Sequence, residues 1–337
     1  MGKKKPVLFF RTEGNEKIGM GHVERCLSLA HALSKNFKIK FACVNSGKTK
    51  EKIEAQGFEF IKLHNMSDKY FLEIIDNKTT VITDSYLITE EFLSAMHQNA
   101  KSLMAIDDLN HLKYYDCDAI INQNMYAKKT KYKCPTKCNL FLGPDYAIIR
   151  NEFLKFSKKT KLKNEKMLNL LITFGGGDKN HCTKKTIDTL EKLNEKINII
   201  AVLGAAAKTR NEVRKACNRS RHNILFVHDA KNMPELMLKS DMAICGAGTT
   251  IYEIALMGTP AVIIQQADNQ TEIAKCFEKK QAAINLGPVE KCKEEDIRKT
   301  VNSLIKNPKK RVEMSEKIRK IVDGKGCERI KKELLKK

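Results

Sequence analysis

The sequence predicts two doubly wound α/β domains in tandem, and three observations carry that prediction. Strand-like apolar runs alternate with helix-period segments along nearly the whole chain, the pattern of parallel sheets wrapped by helices. The alternation lapses once, in a lysine-rich stretch near the middle. The length of 337 residues is too great for one ordinary core and suits two of about 150–170 residues.

In the first half, strand-like runs fall at residues 7–11, 39–44, 81–83, 103–106 and 119–121. A helix is predicted over 22–33, where Val23, Cys26, Leu27, Ala30 and Leu33 recur at three- and four-residue spacing and so share one face. Between Arg150 and Lys166 the apolar rhythm gives way to Lys155, Lys158, Lys159, Lys161, Lys163 and Lys166. This places a first Rossmann-like domain at 1–152, a linker at 153–166 and a second Rossmann-like domain at 167–337. The second half restarts with the apolar run 168–174 and repeats the alternation at 197–203, 224–227, 242–245, 261–264 and 283–286. From Glu294 onward the chain is helical and Lys-rich, broken at Asn307-Pro308 and Gly324-Lys325-Gly326, with its last residues expected to fray.

The formal charge is +22, from 62 Lys and Arg against 40 Asp and Glu. The lysines are scattered, with no arginine-rich helix and no aromatic-basic interleaving, so they read as a solvated surface and no nucleic-acid partner is expected. No apolar run approaches the ~20 residues of a membrane span, and the short run Val7-Leu8-Phe9-Phe10 after the opening residues is not expected to serve as the apolar core of a secretory signal. No membrane partner is expected; a cytoplasmic monomer is. Eleven scattered cysteines without a C-x-x-C pair suggest neither a disulfide frame nor a structural zinc site. Neither a metal nor a cofactor is called for.

In open α/β sheets ligands sit at the carboxyl ends of the strands, so the strand-to-helix junctions are where chemistry is sought. The first junction carries Arg11-Thr12-Glu13 and then Ile18-Gly19-Met20-Gly21-His22, with Arg25 one turn on. Gly19 and Gly21 let backbone approach a ligand, although the third glycine of a dinucleotide fingerprint is missing. His22 at a helix N-terminus is expected to be neutral and able to take a proton from water; the plainer alternative is a capping or packing histidine. In the second half, Gly246-Ala247-Gly248-Thr249-Thr250 opens a helix containing Glu253, leaving amides free for a diphosphate and a carboxylate for ribose hydroxyls. Gly175, Gly176 and Gly177 after a buried strand repeat that logic, with Asp178, Lys179 and Asn180 behind them. Polar residues follow other strands: Asp84-Ser85-Tyr86, Asp107-Asp108, Asn122-Gln123-Asn124, and Gln265-Gln266 through Asn269-Gln270. Singly each reads as a cap or turn.

These loops, with Gly143 to Arg150 and Phe174 to Asp178, resemble in order and spacing the UDP-2,4-diacetamido-2,4,6-trideoxy-β-L-altropyranose hydrolases of the pseudaminic acid pathway and their spore-coat polysaccharide relatives. The likeness covers roughly residues 7 to 290, so the residues after Leu286 read as a C-terminal extension. It implies a GT-B architecture, two Rossmann-like domains facing a central cleft with the nucleotide held by the second. It also implies that His22 is the catalytic histidine and that Tyr86 and Asn269 face the sugar. The expected enzyme cleaves a UDP-sugar by water at C1 with inversion. His22 activates the water and Asp84 or Tyr86 helps to orient it. Arg11, Gly19, Gly21, Asn124, Arg150, the two glycine loops, Thr249, Glu253, Gln266 and Asn269 are expected to bind the substrate. The rivals are a GT-B glycosyltransferase using the same donor, a UDP-releasing 2-epimerase and, from another class, a polyanion-binding protein.

Overall fold

The computed structural model of the chain describes residues 5–15, 19–44, 46–157, 159, 167–178 and 180–336. Ile18, Lys179 and linker residues 158 and 160–166 lie outside the described residues. The chain divides into two units, Met1–Asn151 with Lys325–Lys337, and Glu152–Gly324.

The first unit is a seven-stranded parallel sheet of β1 (Val7–Thr12), β2 (Lys38–Cys43), β3 (Glu59–Lys62), β4 (Thr80–Asp84), β5 (Ser102–Ile106), β6 (Ala119–Asn122) and β7 (Asn139–Leu142), in the order β3-β2-β1-β4-β5-β6-β7. Its helices are α1 (Gly21–Leu33), α2 (Lys48–Ala55), α3 (Lys69–Ile74) and α4 (Glu90–Asn99). Side chains along a strand alternate faces, and the core follows that period: Leu8 and Phe10 enter one cluster with Ile82 and Met104, while Phe9 enters the other with Val81 and Leu103. Each such side chain contributes about 1.5–3 kcal/mol on burial. The apolar stripe predicted for α1 is buried at Val23, Cys26, Leu27, Ala30 and Leu33.

The second unit begins within α5 (Asn151–Phe156) and holds a six-stranded parallel sheet of β8 (Asn169–Thr173), β9 (Asn198–Leu203), β10 (Asn223–His228), β11 (Met242–Cys245), β12 (Ala261–Gln265) and β13 (Ala283–Pro288). The order is β10-β9-β8-β11-β12-β13. Between and after the strands come α6 (Cys182–Leu190), α7 (Arg210–Arg219), α8 (Met233–Lys239), α9 (Thr250–Met257), α10 (Thr271–Lys279), α11 (Glu294–Lys306) and α12 (Pro308–Arg319). α12 starts where the sequence break predicts, with Asn307 accepting from the Lys310 amide at 3.0 Å and Pro308 in the first turn.

The domain boundaries differ from the sequence expectation at two places. Residues 153–156 belong to a helix, and Phe153 is fully buried where an exposed linker was expected. The last helix, α13 (Gly326–Leu335), does not belong to the second domain: it packs on α1 and puts Cys327, Ile330 and Leu334 into the first unit's core. Arg329 fastens it by donating to the Asp145 carbonyl at 2.8 Å. The helix extends to Leu335. Among the described residues no helix is long and apolar enough to cross a membrane.

Candidate active site

Strand order decides which loops become neighbours. In the first sheet the order reverses between β1 and β4, and a switch point of this kind opens a crevice at the carboxyl ends of the strands. Thr12 pairs with Asp84 at that edge and donates from its hydroxyl to the Asp84 carbonyl at 3.0 Å. Gly19, at φ +83°, takes the backbone into a conformation that side-chain-bearing residues avoid, and the chain then turns into α1 at Gly21. His22 is the second residue of that helix.

His22 Nδ1 lies 2.6 Å from Asp84 Oδ1. Arg25, three residues on and therefore on the same helix face, grips the same carboxylate through Nη2 at 2.7 Å and Nε at 2.8 Å. Its Nη1 reaches Asp108 Oδ2 at 3.0 Å, and the Tyr86 hydroxyl donates to Asp108 Oδ1. Tyr86 closes the ring of contacts by meeting His22 edge to face, with centroids 4.6 Å apart. Burial opposes the ionisation of Asp84, yet the charges of Arg25 and His22, with hydrogen bonds from both, outweigh it and hold this carboxyl well below the usual range. Burial likewise works against the Arg25 charge, and Asp84 and Asp108 more than restore it. The Tyr86 phenol is pushed up by burial and then by Asp108, so it remains a donor.

Because Asp84 is a carboxylate, the proton in its 2.6 Å contact with the ring belongs to His22 Nδ1. Arg25 Nη2, at 3.4 Å from Nδ1, is then a neighbour rather than a donor to it. The other ring nitrogen, Nε2, is not engaged by Asp84, and the residue as a whole is buried at 8% exposure. A base oriented by a buried carboxylate has the logic of a hydrolytic triad.

The second sheet reverses between β8 and β11, and the two glycine loops come directly after those strands. Gly175 adopts φ +78°, which explains glycine there, and Gly176 and Gly177 complete the turn. After β11, Gly246 is buried, Gly248 is partly exposed and Thr249 is exposed at the start of α9, with no side-chain cap. Among the described residues no acceptor within the chain is found for the amides of Gly248, Thr249 and Thr250. Free amides at a helix start suit an anion. Glu253 lies in the first turn of α9 at 7% exposure. Gln266 donates from its side chain to the Phe174 carbonyl at 3.4 Å, and Asn269 is exposed in the turn Asp268–Gln270.

Sequence reasoning singled out Gln270 only as one of a polar run, yet it laces these loops. Its Oε1 accepts from the amides of Ala247 and Gln266, both at 3.0 Å. Removing a shared acceptor leaves two amides to be satisfied elsewhere, at about 1–3 kcal/mol. Gln270→Ala is therefore expected to weaken UDP binding about tenfold or more in calorimetric titration. Unchanged affinity would separate the latch from the nucleotide loop.

Two of the expected site residues lie fully buried. Arg11 is fully buried and donates to Glu13 and to the Met66 carbonyl at 3.0 Å, because a guanidinium at the end of a central strand meets protein on all sides. Its hydrogen bonds run to the loop at Glu13 and to Met66. Asp84, at 0% exposure, has both carboxylate oxygens engaged by His22 and Arg25. Asn124 is buried, donates its backbone amide to Asn122 Oδ1 at 3.0 Å and its side-chain amide to the Tyr126 hydroxyl at 3.1 Å; Tyr126 in turn donates to the Asp108 carbonyl at 2.8 Å. Arg150 is partly exposed just before α5. Arg25 and Asp108, which the sequence offered as polar neighbours without a role, complete the cluster.

Two doubly wound sheets with polar clusters at their switch points define a GT-B protein, and the whole chain superposes on Acinetobacter baumannii MurG with a TM-score of 0.71 at 14% identity, covering 98% of this chain and 100% of that one. The chain belongs to the family of the glycosyltransferase family 28 C-terminal domain, which matches residues 157–333. That match includes the segment from 287 to 333.

The resemblance seen in the loops is supported by curated relatives. An uncharacterised protein of Methanocaldococcus jannaschii is 32% identical over 82% of this chain, which spans 59% of that protein's length. The Bacillus subtilis spore coat polysaccharide biosynthesis protein SpsG is 26% identical over 94% of both chains. The UDP-2,4-diacetamido-2,4,6-trideoxy-β-L-altropyranose hydrolase of Campylobacter jejuni is 27% identical over 81% of this chain and 96% of its own.

Proposed function

We propose that the chain hydrolyses a UDP-sugar at its anomeric C1–O bond with inversion, in the cytoplasm and without a metal. The products are UDP and a free 2,4-diacetamido-2,4,6-trideoxy-hexose for nonulosonic acid biosynthesis of the pseudaminic type. The observation that carries the reading is the His22–Asp84 pair at the first sheet's switch point, joined to the named activity of the Campylobacter jejuni relative.

Nδ1–H on Asp84 leaves Nε2 to take a proton as water attacks C1. The new C1–O bond forms on the face opposite UDP while the old one breaks through an oxocarbenium-like state, and the bonding pair leaves on the diphosphate. The diphosphate already spreads its charge, and the amides of the Gly175 and Gly246 loops stabilise what develops. Glu253 accepts from the ribose, and Tyr86, Asn269 and Gln266 meet the sugar.

The family name favours a second reading, a glycosyltransferase in which His22 deprotonates an acceptor hydroxyl. Incubation of the pure chain with the UDP-sugar and no acceptor distinguishes the two. Steady UDP release supports hydrolysis; release that waits for an added acceptor overturns it.

A further inference from the structure

Tyr86 stands between two imidazoles. His22 meets its ring at 4.6 Å and 85°, and His111 meets it at 6.1 Å and 79°. Each imidazole hangs by Nδ1 from a carboxylate at the end of a neighbouring strand, His22 from Asp84 on β4 and His111 from Asp107 just past β5, both at 2.6 Å. Asp107 is fixed independently, since it also accepts from the amides of Leu109 at 3.0 Å and Asn110 at 2.6 Å. The His111 side chain is 25% exposed and rests edge-on against Tyr115 at 6.3 Å. The proposed hydrolysis gives it no part.

We propose that His111 is a positioning residue for Tyr86: with Asp107 it forms a second His–Asp pair whose ring holds the phenol in place against His22. The proposal rests on the hydrolase reading for its catalytic consequence, but not for the contact itself.

The groups around His111 favour its charged form. The Asp107 hydrogen bond contributes most, burial opposes it, and the Asp107 charge, the Ile88 carbonyl and Asp108 add to it, so the imidazole is held above its usual value. Polar groups around the pair include the phenols of Tyr86 and Tyr115, Tyr132, which donates to the Asp107 carbonyl at 2.7 Å, and Glu90, which accepts from the Lys113 amide at 2.7 Å and ties the His111 loop to α4. A charged ring donates from both nitrogens. On losing a proton it keeps the one that Asp107 holds and loses its donor toward Ile88, two residues beyond Tyr86 in the same loop. Tyr86 then keeps its hydroxyl bond to Asp108 but loses the brace on its other side.

Two measurements on the full chain test this. The ring signals of Tyr86, identified with Tyr86→Phe, are followed by NMR from about pH 5 upward, where histidines titrate. The wild type is expected to show an inflection above about pH 6.5 that disappears in His111→Gln and His111→Asn. A pH course of Tyr86 that is the same in wild type and variants overturns the proposal, whatever the substrate. In the hydrolysis assay the wild-type kcat is expected to fall through that same interval as pH rises. His111→Gln should lack this limb and run lower below it, by up to about 10²-fold, with KM unchanged. A variant with the wild-type kcat profile overturns the role. Failure of the wild type to release UDP refutes the hydrolase reading alone, and the NMR comparison still decides the position of His111.

Discussion

Replacing His22 by asparagine or alanine is expected to lower turnover by about 10²–10⁴-fold, the usual worth of a positioned general base, while UDP binding is unchanged. The ring stands at the start of α1 in the first unit, whereas the loops proposed for UDP belong to the second. Asparagine is the sharper variant, because its amide can still donate to Asp84 and keeps that carboxylate paired. Initial rates of UDP release, set beside the Kd for UDP, check both halves of the expectation. A His22→Asn protein that turns over at nearly the wild-type rate would remove the imidazole from the base role.

Asp84→Asn is expected to cost on the order of 10²–10⁴-fold in turnover by a different route. An amide can donate to Nδ1, which moves the ring proton to Nε2 and leaves no lone pair for water. The same change strips Arg25 of its main counter-charge inside the protein, at about 3–5 kcal/mol. Urea denaturation followed alongside kinetics separates the two effects, and a variant losing stability with its rate intact would show that Asp84 does not act through His22.

The pH dependence of stability has a definite sign. Asp84 is depressed in the folded chain, so its contribution is complete above the ordinary carboxylate value of about 4 and is lost as pH falls below it. Denaturation midpoints of the wild type should fall on acidification, and Asp84→Asn should flatten that fall.

Most strands and the helix faces between them were legible as apolar runs with the right period, because central strands of a parallel sheet are buried on both sides. β3 and β7 were not. Each lies at an edge of the first sheet, with Glu59, Lys62, Asn139 and Leu140 exposed, and a half-wet edge strand carries no continuous apolar signal. α13 was legible as a helix but not as a member of the first unit. The spacing of Cys327, Ile330 and Leu334 marks an apolar stripe, and such a stripe does not name the surface that covers it.

The sequence by itself determined the class of fold, the two glycine loops and the histidine at the first helix start, because backbone freedom, hydrophobic period and helix-terminal position are local properties. Tertiary structure decided the rest of the site. Asp84 lies 62 residues from His22, and Asp108 lies 83 from Arg25. Only the strand order β1-β4-β5 brings them within hydrogen-bond reach, turning one polar residue at a strand end into the carboxylate that holds His22. The same packing buried Arg11 against Glu13, since an arginine and its buried partner look in sequence like any charged pair beside a loop.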